Sequence, residues 1–304
     1  MPSWQARCLS AAIRLLIRRR RWGDEQSVAR RARRLMGAPR PYQWLRTRGL
    51  LLTPVQHKGV RGELVVPANS ENGIILYVHG GGYVSCSAAT HRPITAALAR
   101  LSRRRVFSIN YRLAPEHRFP AALDDAVAAY RWLLEHEGMP ASAISLAGDS
   151  AGGGLVLGIL LRARDGGLPL PACGVCFSPW TDLAGTGASV RSNDGRCAMF
   201  HTENIAEFAD AYLGNASPQE LYASPAFADL SGLPPVLLQV GSTELLLDDA
   251  RRVHHKISEA GGCSELEVYD NMAHCWQMLD GFVPEARRAL RQASEFIRAH
   301  TTCA

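Results

Sequence analysis

The pentapeptide Gly148-Asp149-Ser150-Ala151-Gly152 sets a serine between glycines, after the apolar run Ile144 to Ala147 and before a helical period that starts at Ala151. A serine on so tight a strand-to-helix turn exposes its hydroxyl at a sheet edge, beside the unpaired N–H groups of a helix N-terminus. That is the placement an acyl-transfer nucleophile needs. The pentapeptide alone also suits an ordinary Gly-rich turn; its strand–helix context selects the nucleophile. A second group, His79-Gly80-Gly81-Gly82, ends the apolar run Ile74 to Val78. Three consecutive glycines weaken the chain entropically, so something must require their backbone freedom. The N–H groups of Gly81 and Gly82, joined by that of Ala151, could cradle the negative oxygen of a tetrahedral intermediate. A phosphate-binding loop is the alternative, but neither a Gly-Lys-Ser/Thr ending nor a G-x-G-x-x-G turn is present.

Together with Tyr111-Arg112-Leu113-Ala114-Pro115-Glu116, Gly153, Ser224-Pro225 and Leu233-Pro234-Pro235, these motifs make residues 45–300 resemble the bacterial hormone-sensitive-lipase-like carboxylesterases of the α/β-hydrolase fold. The resemblance implies an acid after the seventh strand and a histidine after the eighth. Glu244 in Gly241-Ser242-Thr243-Glu244 and His274 in Asn271-Met272-Ala273-His274 take those places, in the chain order serine, acid, histidine. Many relatives carry an aspartate at the acid position. Glu244 is preferred because it lies nearest the strand end, Asp248 one helical turn on is the runner-up, and Asp249 reads as a solvated helix residue. His79 and Asp149 are expected to support the site, His79 by bracing the glycine loop. The segment from Tyr111 to Glu116 is expected to hold that loop in place. His117, His136, His201, His254, His255 and His300 read as surface or structural histidines. Trp44, Met199, Phe200, Phe208 and Tyr212 are candidates for an apolar pocket lining, and equally for packing that fixes a cap to the body.

The implied activity is that of a serine carboxylesterase acting on short- to medium-chain acyl esters, small molecules, through an acyl-enzyme intermediate. It needs no cofactor and no metal, and the sequence has no H-E-x-x-H or closely spaced His/Cys set. An interfacial lipase and a non-catalytic ligand-binding member of the same fold are the rival readings, and the triad does not exclude amide substrates. Cys173 and Cys176 form a C-x-x-C, but in a strand residues three apart face opposite ways, so neither redox nor zinc chemistry is expected of them.

Positioning these residues takes a parallel sheet. Apolar runs near 47–53, 60–66, 74–79, 105–110, 143–148, 172–178, 236–241 and 265–270 alternate with helical periods at 90–102, 120–136, 151–165, 247–260 and 284–299, which predicts an eight-stranded, mostly parallel α/β sheet flanked by helices. Residues 1–45 and 181–222 break the alternation. We expect them to pack as a helical cap on a core of residues 46–180 and 223–304.

The 304 residues carry a formal charge of +6, yet residues 1–50 hold 13 Arg against only Asp24 and Glu25, and the remainder is net acidic at −5. Basic character therefore argues for no nucleic-acid partner of the body. The Arg14 to Arg21 segment, with Leu15, Leu16, Ile17 and Trp22, reads as a cap helix with a solvated arginine face; contact with an anionic lipid surface is the alternative. A homodimer is left open by the sequence. The N-terminal apolar stretch is interrupted by Arg14 and does not read as a secretion signal, and eight cysteines are too few for a disulfide scaffold, so a cytoplasmic location is expected.

Overall fold

The computed structural model describes residues 2–18 and 23–301. Eight strands form one sheet: β1 Leu51–His57, β2 Val60–Val66, β3 Ile74–Val78, β4 Arg105–Ile109, β5 Ile144–Asp149, β6 Cys173–Phe177, β7 Val236–Gly241 and β8 Ser264–Tyr269. Their order is β1-β2-β4-β3-β5-β6-β7-β8; β1 and β2 run antiparallel at one edge and β3 to β8 are parallel. Strand order reverses around β3 and β5, so the carboxyl ends of these two central strands open a crevice. The glycine loop leaves β3 and Ser150 leaves β5 at this point.

The ten α-helices among the described residues are α1 Trp4–Ile13, α2 Glu25–Leu35, α3 Arg40–Thr47, α4 Arg92–Ser102, α5 Ala121–Glu135, α6 Ala151–Asp165, α7 Ala188–Ser192, α8 Thr202–Leu213, α9 Leu247–Glu259 and α10 Pro284–His300. Central strands are apolar on both faces, and alternate residues serve different layers. Ile74, Leu76 and Val78 join the core built by α5, α6 and α9. Ile75 and Tyr77 join the opposite core with α4 and α10. Cys173 and Cys176 are likewise split between the two faces, both buried.

The first strand departs from expectation, running from Leu51 to His57 instead of 47–53. Pro41 in the first turn pre-sets a helix over Arg40–Thr47, and Gly49 at φ +76° breaks it before the strand begins.

The N-terminal segment lies against residues 181–222. A π-helix over Arg14–Arg18 continues α1. The Arg18 guanidinium is buried and donates to the carbonyls of Asp194, Gly195 and Cys197, while Arg14 donates to those of Gly195 and Arg196. Arg18 is thus a buried clamp and not part of a solvated face, because the 194–197 turn offers a row of carbonyls to it, while Arg14 makes its contacts from an exposed position. Arg19, Arg20, Arg21 and Trp22 lie outside the described residues. Helix α2 packs on α8, and Arg33 reaches across to Val84 O and to both oxygens of Glu116. Among the described residues no helix is long and apolar enough to cross a membrane.

Candidate active site

Ser150 opens α6 with φ +54° and ψ −122°, a conformation an L-residue holds only when its surroundings enforce it. The enforcement comes from close packing on both sides. A Cβ on Gly152 would collide with the Val78 carbonyl, and one on Gly148 with the backbone of Gly152, so only glycines let β3, β5 and α6 converge here.

Ser150 Oγ lies 2.9 Å from His274 Nε2, and His274 Nδ1 lies 2.6 Å from Glu244 Oε2. A carboxylate can only accept, so Nδ1 carries the proton and Nε2 is left to accept from the serine. All three residues are less than 9% exposed. Glu244 is itself held: its Oε1 accepts from Gly241 N–H at 2.6 Å and from Ser178 Oγ at 2.7 Å. Ser178 in turn accepts the Cys275 N–H at 3.2 Å, which ties the histidine loop to the same hydroxyl. Asp248 is elsewhere: its carboxylate accepts from Ser189 N–H at 2.8 Å and lies 3.3 Å from Arg251. Asp249 is not solvated as expected. It is buried, accepting the N–H groups of Thr181 and Asp182 at 2.7 and 2.8 Å, and burial pushes its carboxyl up to about 8. Residues 181–182, which follow β6, lie against the first turn of α9, so this face of it meets protein.

The glycine loop is held from beneath. Asp149, buried, accepts from Tyr77 Oη at 2.6 Å and Gly80 N–H at 3.0 Å, and its other oxygen lies 3.2 Å from His91 Nε2. Burial raises the pKa of such a group, but His91, the Tyr77 hydroxyl and the Gly80 N–H together outweigh it and hold Asp149 at about 2. His79 stacks on Tyr111 with ring centroids 4.2 Å apart, its Nδ1 is 2.7 Å from Gly80 O, and burial lowers its pKa to about 3. Tyr111 Oη donates to His79 O and Ala114 N–H to Tyr83 O, so the 111–116 segment does grip the glycine turn. Gly81 and Gly82 adopt φ of +116° and +62°. Among the described residues no acceptor takes the N–H of Gly81, Gly82 or Ala151, and all three lie around Ser150.

A family profile whose description is the alpha/beta hydrolase fold matches residues 75–278. An acetyl-hydrolase of Streptomyces hygroscopicus is 44% identical over 239 residues, 79% of this chain and 80% of that one. Among solved structures, an esterase from the bacterial hormone-sensitive lipase family superposes with a TM-score of 0.90 at 39% identity, over 99% of this chain and 100% of that one. The chain belongs to this esterase family. The esterase EstE5, in a crystal soaked with p-nitrophenyl butyrate, is also similar, with a TM-score of 0.89 and 36% identity over 98% and 99% of the two chains. As a member of the hormone-sensitive-lipase-like group, the protein is a carboxylic ester hydrolase.

Two cavities of this esterase meet at Ser150. The smaller, about 20 Å³, is walled by Phe200, Phe208, Trp180 and Ile205; the larger, about 200 Å³, extends under Leu9, Ile13 and Ile17 to Met199 and Trp276. Phe200, Phe208 and Met199 therefore line the site as expected. Tyr212 does not: it stacks on Tyr83 at 3.7 Å and fixes the turn after the glycine loop. Trp44 is 64% exposed on α3 with Arg48 over its ring, because α3 turns that face outward. Sequence reasoning missed Ser178 and His91. Ser178 could have been noticed at the carboxyl end of β6, where functional side chains gather; nothing in the sequence pairs His91 with Asp149.

Proposed function

We propose that the protein is a serine carboxylesterase that hydrolyses short- to medium-chain acyl esters through an acyl-enzyme on Ser150. The observation that carries this reading is the hydrogen-bonded run from Glu244 through His274 to Ser150 Oγ. Ser150 Oγ attacks the ester carbonyl carbon while its proton passes to His274 Nε2. Glu244 keeps the imidazole in the tautomer that can accept it and stabilises the resulting cation. The carbonyl oxygen becomes negative facing the N–H groups of Gly81, Gly82 and Ala151, each worth about 3 kcal/mol in the transition state. The C–O bond then breaks, His274 returns the proton to the leaving alkoxide, and water repeats the cycle on the acyl-serine. In this reading residues 1–45 and 181–222 form the cap that keeps bulk water from the intermediate.

The test is turnover of p-nitrophenyl acetate and butyrate by the intact protein beside Ser150→Ala, with an active-site fluorophosphonate as mass label. We expect the label at Ser150 and turnover abolished in the variant. Undiminished turnover by Ser150→Ala would refute the assignment.

A further inference from the structure

We propose that the site accepts its ester in one orientation, an acetyl- or propionyl-sized acyl group in the small cavity and a long or bulky apolar alcohol in the large one. The inference rests on the serine-esterase reading and names its substrate class.

Direction follows from proton delivery. When the acyl-serine forms, the ester C–O bond breaks, its electron pair leaves on the alcohol oxygen, and His274 Nε2–H supplies the proton, so that oxygen must depart within hydrogen-bond reach of His274. His274 borders the large cavity. The small cavity is bordered by Gly82 and Ser150 without it, and Phe200 stands edge-on to the imidazole, 5.6 Å away, as a partition. The acyl carbon, bonded to Ser150 Oγ with its oxygen toward the glycine loop, points its chain into the small side. Adjacent residues divide the two spaces: Met199 faces the large one and Phe200 the small one.

Size then selects the substrate. A water-sized group needs roughly 10–15 Å³, so a cavity of about 20 Å³ holds one or two carbons beyond the carbonyl. Its end wall is Phe208, buried, packed on the Gly82 Cα where any Cβ would strike the ring, and braced by Phe200 at 6.0 Å. A longer acyl chain must displace this ring from the oxyanion loop itself. The alcohol side is the larger of the two, and its walls, including Leu9, Ile13, Ile17, Met36 and Met278, are apolar and partly thioether, surfaces that adapt to varied hydrocarbon shapes.

Octyl acetate and ethyl octanoate are isomers, so total hydrophobicity cancels and only orientation differs. Measured by pH-stat, the intact protein should prefer octyl acetate by about 100-fold in kcat/KM. Phe208→Leu, or Phe208→Met should the first fold poorly, should raise ethyl octanoate hydrolysis at least ~10-fold and narrow the ratio. Ile13→Trp, which fills the large side, should depress octyl acetate more than ethyl acetate. Equal or faster use of ethyl octanoate by the intact protein, with p-nitrophenyl acetate turnover still dependent on Ser150, would overturn the orientation and leave the serine mechanism standing. Turnover of p-nitrophenyl acetate that ignores Ser150→Ala would overturn both.

Discussion

Replacing Glu244 by glutamine keeps shape and volume and changes one thing, the direction of a hydrogen bond. Two donors, Gly241 N–H and Ser178 Oγ–H, point at Oε1. The amide oxygen must therefore sit there, which turns the amide NH2 toward His274 Nδ1, at the 2.6 Å position now held by a carboxylate oxygen. Nδ1 must then accept, the imidazole proton moves to Nε2, and the histidine confronts Ser150 with a donor instead of a base. Wrong-tautomer substitutions of this kind lower kcat by about 10⁴, which at 1.36 kcal/mol per decade is about 5 kcal/mol of transition-state stabilisation. KM should move by no more than a few-fold, since Glu244 borders neither cavity. Pre-steady-state and steady-state hydrolysis of p-nitrophenyl acetate at pH 8 would report the burst and kcat, with Asp248→Asn as the parallel variant. Asp248 accepts from a backbone N–H that an asparagine oxygen can also serve, so that variant should stay within a few-fold of the intact enzyme. A Glu244→Gln enzyme with a tenth or more of the normal kcat, or an Asp248→Asn enzyme equally crippled, would refute the reasoning.

Ser178→Ala removes one of the two donors on Glu244 Oε1 and the acceptor of Cys275 N–H, and should lower kcat about 10-fold while the acyl-enzyme still forms, as a burst assay would show. Gly152→Ala drives a methyl into the Val78 carbonyl and should destabilise the protein by about 3 kcal/mol or more, read as a fall in the urea midpoint. His79 contributes to acid sensitivity: burial depresses its pKa from 6.5 to about 3, so between those values the unfolded chain binds a proton that the folded one refuses. Stability is then fully present above pH 6.5 and falls by about 1.4 kcal/mol per pH unit as the pH drops toward 3. Urea titrations at pH 4.5 and 7 should show a smaller difference for His79→Gln than for the intact protein; an unchanged difference would rule this contribution out.

The sheet was legible because its central strands are apolar on most residues and end in turn residues, a pattern that helices on both faces impose. The glycine loop and Ser150 were legible because tight backbone approach leaves few alternatives to glycine. Strand β1 was displaced because an exposed edge strand carries little hydrophobic signal, and Pro41 decided the local structure before it. Asp249 was misjudged because its burial comes from residues 181–182, which are distant in sequence and reach its carboxylate through backbone N–H groups that any residue type supplies. The His91 contact with Asp149 was hidden for a similar reason: partners 58 positions apart meet only once β3 and β5 pair. Arg18 shows the limit of charge patterning, since an arginine that satisfies three carbonyls looks in sequence like one that faces water.

The Leu9, Ile13 and Ile17 wall has a consequence for how selectivity is inherited and engineered. These side chains stand outside the region, residues 75–278, that carries the family pattern, yet they roof the space in front of Ser150. The proposed catalytic residues and this part of the large cavity's wall thus lie on different stretches of one chain. The first can be kept intact while the second drifts, since a change at position 9, 13 or 17 alters the roof without touching the strands that set Ser150, Glu244 and His274. The N-terminal helix works as an exchangeable die pressed against a fixed tool, and libraries confined to it sample new alcohols on an unaltered catalytic base.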